Sequence, residues 1–254
     1  MKKYISFMLA FCMGMTCLSG CGKKTEKNYR ILFVGNSFTE FHNMPQEIFA
    51  PLCEMAGINV TVDAVTRGSY ILENFANPAD FYGAKVDKCL RENKYDFVVL
   101  QEQSSRPISD KESFKRGVRR LAEKVKENGA ELFLYETWGY KEGHGSLHSF
   151  GSSTHDMAKK LSESYMEAAK EVDAKIIHAG IAMLDVYVNH KDEIELYMSD
   201  YHHSSQTGST LVAYTMLCTI FGVDVRNVDY SSGSKWRDKI LKQAAYNASM
   251  HKNM

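Results

Sequence analysis

The chain has 254 residues, 44% of them hydrophobic, with 31 basic and 31 acidic side chains in balance. That balance, with no Lys/Arg-rich run interleaved with aromatics, excludes a nucleic acid or other polyanion as the expected partner. The length supports one well-cored domain and is short for two.

In chain order, residues 1–20 combine a basic start, an apolar stretch and small residues ahead of Cys21, which reads as an export signal. Leu18-Ser19-Gly20-Cys21 resembles the lipobox of bacterial lipoproteins. The resemblance implies cleavage before Cys21 and lipidation of its thiol, so the expected localisation is a bacterial cell envelope, on its periplasmic or cell-surface side. Residues 21–29 are polar and charged and read as a flexible stalk, leaving 30–254 as the predicted domain.

Five short apolar runs then alternate with longer helical patterns, which predicts a parallel sheet covered by helices. The runs are 30–35, 59–65, 95–101, 131–137 and 174–180, and the first and third are continuous enough in apolar residues to be buried on both faces. Helices are predicted at 44–56, 80–92, 110–128 and 153–172, with Gly129 closing the third, then from the serines at 204–205 to Gly222, and near 234–250. The Gly-, Ser- and His-rich segment 138–154 is too long for an ordinary connection and reads as a functional loop. Cys53, Cys89 and Cys218 sit in apolar or helical surroundings as buried thiols do, and the sequence leaves open whether two of them pair.

A serine hydroxyl is a weak nucleophile, so covalent catalysis needs a base, a group that orients the base, and donors for the oxyanion. Taken alone, Ser37 reads more readily as a helix cap, and Asp200 and His203 as a turn and a cap. Their appearance in order, with Gly68 between them, turns the reading toward a nucleophile, its base and an orienting carboxylate.

Gly35-Asn36-Ser37 after the first strand, Gly68 after the second, and Asp200-Tyr201-His202-His203 with Gly208 before a helix resemble the blocks of the SGNH hydrolases, also called GDSL esterases and lipases. The resemblance spans roughly residues 30–222. It implies a three-layer α/β/α flavodoxin-like fold with a five-stranded parallel sheet. It also implies a Ser37-His203-Asp200 triad and an oxyanion hole built from the N–H groups of Ser37 and Gly68 and the amide of Gln103.

Two positions depart from the family pattern: Asn36 replaces an aspartate, and Gln101-Glu102-Gln103-Ser104 stands where Gly-x-Asn-Asp is usual. Glutamine keeps the amide donor, with Gln101 as the alternative to Gln103. His202 is a rival base or a pocket-lining residue. Trp138, with Tyr140 and His144 beside it, either packs the end of the fourth strand or offers a face to a sugar ring. Asn36, Gln101, Trp138 and His202 are therefore the candidate substrate contacts. His144 and His148 have a ligand-like spacing and His155 lies nearby, but no carboxylate or cysteine joins them in a tight pattern, so neither metal nor cofactor is expected.

These features predict a membrane-tethered ester hydrolase acting on a small-molecule or glycan ester and removing acetyl or other short acyl groups from carbohydrate. Aryl esters, thioesters and lipid esters stay open as substrates, and so does the oligomeric state. The alternative is a non-catalytic lipoprotein that retains the fold and binds a glycan or another ligand.

Overall fold

A strand buried on both faces needs an unbroken apolar run, and Ile31 to Val34 supply it at no more than 1% exposure each. The computed structural model describes residues 27–251, so the export signal and Cys21 lie outside the described residues. Its strands are β1 (Asn28–Gly35), β2 (Asn59–Thr66), β3 (Phe97–Leu100), β4 (Glu131–Tyr135) and β5 (Lys175–Ile177). They form one parallel sheet in the order β2-β1-β3-β4-β5.

The helices follow in pairs: α1 (Ser37–Glu40) and α2 (Ala50–Met55) after β1, α3 (Leu72–Phe75) and α4 (Phe81–Glu92) after β2, α5 (Arg106–Ser109) and α6 (Lys111–Asn128) after β3. After β4 come α7 (Leu147–Phe150) and α8 (Thr154–Val172), and after β5 come α9 (Ala179–His190), α10 (Gln206–Phe221) and α11 (Lys235–Ser249).

Because strand side chains alternate between faces, the sheet builds two cores. Ile31, Phe33, Val99, Phe133 and Tyr135 pack with Leu52, Met183, Leu211 and Leu241, which belong to α2, α9, α10 and α11. Leu32, Val34, Val98 and Leu134 pack with Leu72, Val86 and Phe114 of α3, α4 and α6. Helix α10 is buried nearly all round, which explains its apolar sequence without a polar stripe. No helix among the described residues is long and apolar enough to cross a membrane.

Three local differences from the sequence reading have physical causes. Strand β1 begins at Asn28 rather than 30, because Asn28 donates to Thr61 Oγ1 at 2.9 Å and the Tyr29 ring stacks on Phe97. The fifth strand stops at Ile177: Gly180, predicted to end it, lies in α9, where an added Cβ would meet Thr137 O at 2.2 Å. The predicted helix at 44–56 is a π-helical turn, Met44–Phe49, running into α2. It is entered through two left-handed residues, His42 and Asn43.

The chain runs from β1 outward to β2, then returns across β1 to β3. The loops leaving β1 and β3 therefore part at their carboxyl ends, and that switch point is where open α/β sheets place their ligands.

Candidate active site

The turn after β1 is built by side chains rather than by the sheet. Gly35 has no room for a Cβ, which would sit 2.5 Å from Thr39 Oγ1 and 2.6 Å from Gln101 Oε1. Asn36 is buried, and its Oδ1 caps α1 by accepting from Phe38 N at 3.2 Å. Its Nδ2 donates to Tyr70 O at 3.0 Å, in the loop after β2. An aspartate could not make that last bond, which gives the asparagine a physical reason at this position.

Ser37, next in the chain, opens α1 with its hydroxyl facing the loop before α10. His203 Nε2 lies 2.8 Å from Ser37 Oγ, and His203 Nδ1 lies 2.7 Å from Asp200 Oδ2. Asp200 Oδ1 accepts from the N–H groups of His202 and His203 at 3.1 and 3.0 Å, so the carboxylate folds its own loop around the imidazole. Partial burial opposes ionisation of Asp200, yet the His203 ring and these two N–H groups outweigh it and hold its pKa at about 2. Burial lowers the His203 pKa below the usual 6.5, with Asp200 opposing and His202 assisting. At neutral pH the pair is therefore a carboxylate beside a neutral imidazole. With Nδ1–H donating to Asp200, Nε2 is left to accept the Ser37 proton.

Trp138 is fully buried, and here the suggested sugar platform gives way to a packing role. Its ring stacks on Phe38 at 4.5 Å with a 7° tilt, and its Nε1 donates to His202 O at 2.9 Å. It thus joins the helix of Ser37 to the histidine loop. His42 Nε2, 3.1 Å from Ser204 O, makes a second tie between the same segments. Phe41 covers the His203 ring at 4.2 Å. The His202 ring lies against that of His203 at 3.9 Å, tilted by 41°, with Tyr140 and His144 next to it, and makes no bond to Ser37.

Gln101 is likewise spoken for: its Oε1 accepts from Asn36 N at 2.9 Å and Thr39 Oγ1 at 2.8 Å. Its Nε2 donates to Asn36 Oδ1 at 2.9 Å and to Glu102 O. It braces the turn that carries Ser37 and has no spare donor for an oxyanion, nor a free group for substrate. Gln103 is half-buried, and its carbonyl accepts from Ser105 N and Arg106 N at 3.2 and 3.1 Å, which fixes the amide plane at the start of α5. Of its two N–H protons one is directed at Ser104 Oγ, 3.1 Å away, leaving the other without a partner among the described residues. Gly68 lies just beyond Thr66, whose strand partner is Gly35, so it shares the carboxyl edge with Ser37. Its N–H, like that of Ser37, has no partner among the described residues.

Among the described residues, one set of side chains, Asp200, His202 and His203, brings three potential metal-ligand atoms within 4.8 Å of one another. Asp200 Oδ2 and His203 Nδ1 already bond each other at 2.7 Å, so an ion that took those two atoms would break that bond. His148 and His155 are exposed and do not join His144 in such a set. Cys53, Cys89 and Cys218 are all free, and burial pushes the Cys53 thiol up to about 12, far from a reactive thiolate.

Sequence reasoning passed over Glu102, Phe41 and His42 as parts of this site. The left-handed backbone at His42 and Asn43 had only a weak signal, the enrichment of both residue types at positive φ. The burial of Glu102 could have been inferred from its place directly after a doubly buried strand.

A family profile described as a domain of unknown function, DUF4886, matches residues 79–248. That span holds Gln103, Asp200 and His203, while Ser37 and Gly68 precede it. Among solved structures, a protein from Slackia heliotrinireducens provisionally assigned as an SGNH hydrolase is 33% identical with a TM-score of 0.63, over 74% of this chain and 96% of that one. A DUF4886 family protein from Bacteroides uniformis ATCC 8492 is 20% identical with a TM-score of 0.76, over 87% and 95%. An acetyl xylan esterase shares the fold at 16% identity and a TM-score of 0.58, over 76% and 100%. No curated protein matches the chain. The chain belongs to the DUF4886 family and to the SGNH hydrolases whose fold it shares.

Proposed function

We propose that the protein is a serine ester hydrolase that removes acetyl or other short acyl groups from a carbohydrate. The observation that carries the reading is the continuous relay from Ser37 Oγ through the His203 ring to Asp200, at 2.8 and 2.7 Å. In this mechanism His203 Nε2 takes the Ser37 proton as Oγ attacks the ester carbonyl, and Asp200 stabilises the imidazolium that forms. The oxygen that gains charge meets the N–H groups of Ser37 and Gly68 and the free amide proton of Gln103. His203 then protonates the departing alcohol, water enters as the second nucleophile, and the acyl group leaves as the free acid.

The carbohydrate part of the reading draws on the expected export of the chain and on the acetyl xylan esterase among the similar structures. An ester screen tests both parts. Wild-type protein should hydrolyse short-chain aryl esters and release acetate from acetylated glycans, and Ser37→Ala should do neither. Full turnover in Ser37→Ala overturns the relay; turnover of aryl esters without glycans retains the hydrolase and rejects the carbohydrate.

The protein's place belongs to the same proposal: tethered to the cell envelope through a lipid on Cys21. Cys21→Ser should abolish metabolic incorporation of a fatty-acid label, and undiminished incorporation would reject the anchor.

A further inference from the structure

One buried carboxylate takes no part in the relay. Glu102 is completely buried, and its side chain accepts from two backbone N–H groups on different loops. Gln103 N lies 2.6 Å from Oε1, and Leu72 N lies 3.1 and 3.3 Å from Oε1 and Oε2. No cation forms an ion pair with it among the described residues. Burial pushes its pKa up to about 7, against the lowering effect of the Gln103 and Leu72 N–H groups and, after them, of the Arg106 charge, while Glu73 adds to the rise. An ionisable group in such a place costs stability that an apolar side chain would not.

What Glu102 joins explains why a carboxylate is useful there. Leu72 opens α3 four residues after Gly68, and Gln103 is the adjoining residue, so the two bonds connect the loops carrying the two outer oxyanion donors. Those loops leave β2 and β3, which are not neighbours: β1, the strand of Ser37, lies between them. The sheet ladder fixes each strand against β1 but ends near Thr66 and Leu100. Beyond those points Glu102 ties one loop directly to the other. Its own backbone is held as well, its N–H donating to Tyr165 Oη at 3.4 Å and its carbonyl accepting from Gln101 Nε2. That is the same amide that braces Asn36.

We propose that Glu102 is a positioning residue that sets the span between the Gly68 N–H and the Gln103 amide across Ser37, and thereby the width of the oxyanion hole. The proposal rests on the ester hydrolase reading above. Turnover of a short-chain aryl ester and the rate of fluorophosphonate labelling, measured on wild type, Ser37→Ala, Glu102→Ala and Glu102→Gln with the melting temperature of each, test it. Glu102→Ala should lower kcat on the order of a hundredfold, as loss of one oxyanion donor does, with KM within about threefold and labelling slowed in parallel. Glu102→Gln keeps an acceptor oxygen for both N–H groups and should recover about tenfold or more of that loss. If Glu102→Ala does not fold, Glu102→Asp decides, because a side chain one carbon shorter keeps Gln103 within reach and retreats from Leu72. A loss of about tenfold in kcat supports the proposal, and an unchanged kcat overturns it. A folded Glu102→Ala with wild-type kcat, beside an inactive Ser37→Ala, rejects the role of Glu102 and leaves the hydrolase standing. Wild-type protein without turnover or labelling rejects both.

Discussion

In the proposed reaction the Ser37 proton needs somewhere to go before the oxygen can attack, and the neutral His203 ring 2.8 Å away is placed to take it. Its pKa lies below 6.5 because burial disfavours the imidazolium more than Asp200 favours it. The sign follows directly: the base works when deprotonated, so activity is lost as pH falls through that lowered value. The kcat/KM profile on an aryl ester should show an acid limb with its midpoint below 6.5 and a plateau at neutral pH. A midpoint well above 7 would point to another group as the base. At this scale the relay was legible in the sequence, since a spacing of three residues lets the Asp200 carboxylate bond both the ring and the backbone N–H of His203. The part played by Gln101 was not legible. Its amide is consumed by Asn36 and Thr39, 65 and 62 residues away in sequence, and only the fold brings them together.

Elements position those residues through a few long-range ties. The short α1 carries Ser37 and is clamped on one side by the Gln101 amide and on the other by the Phe38–Trp138 stack. Trp138→Phe keeps an aromatic surface but leaves the half-buried His202 carbonyl without its donor, so a loss of about 0.5–1.5 kcal/mol is expected in chemical denaturation. The same variant should turn over more slowly, since the histidine loop loses one of its supports. A stability and kcat equal to wild type would show that the tie is incidental. The helices and strands themselves were readable from periodicity and punctuation, as at α6, where Asp110 caps the first turn and Gly129 closes the last with φ of 86°. What escaped was the shape of the connections. The left-handed pair His42–Asn43 and the π-helical turn after it follow from packing against the loop before α10, which no local pattern announces.

The whole molecule is an α/β sheet whose switch point gathers, at one edge, the proposed oxyanion donors from the loops after β1, β2 and β3 and the proposed base from the loop before α10. Alternating apolar runs were enough to predict that architecture, because parallel strands need crossovers and crossovers of this length are helical. The cost of the buried Glu102 is felt by the fold as a whole. Its pKa in the folded state is about 7, above the ordinary 4.5, so its contribution is fully present below pH 4.5 and is lost as pH rises through 7. Relative to Glu102→Gln, wild-type unfolding free energy should fall by about 3 kcal/mol between pH 4.5 and 8. A difference that stays constant with pH would show that Glu102 is not the buried acid described above. The central claim, that Ser37 is the nucleophile of an ester hydrolase, is tested most directly by peptide mass spectrometry of the protein after fluorophosphonate treatment. The account predicts one phosphonyl adduct, on the peptide containing Ser37, formed in step with loss of aryl-ester turnover and absent from Ser37→Ala. An adduct on any other residue, or turnover surviving complete modification of Ser37, would contradict it.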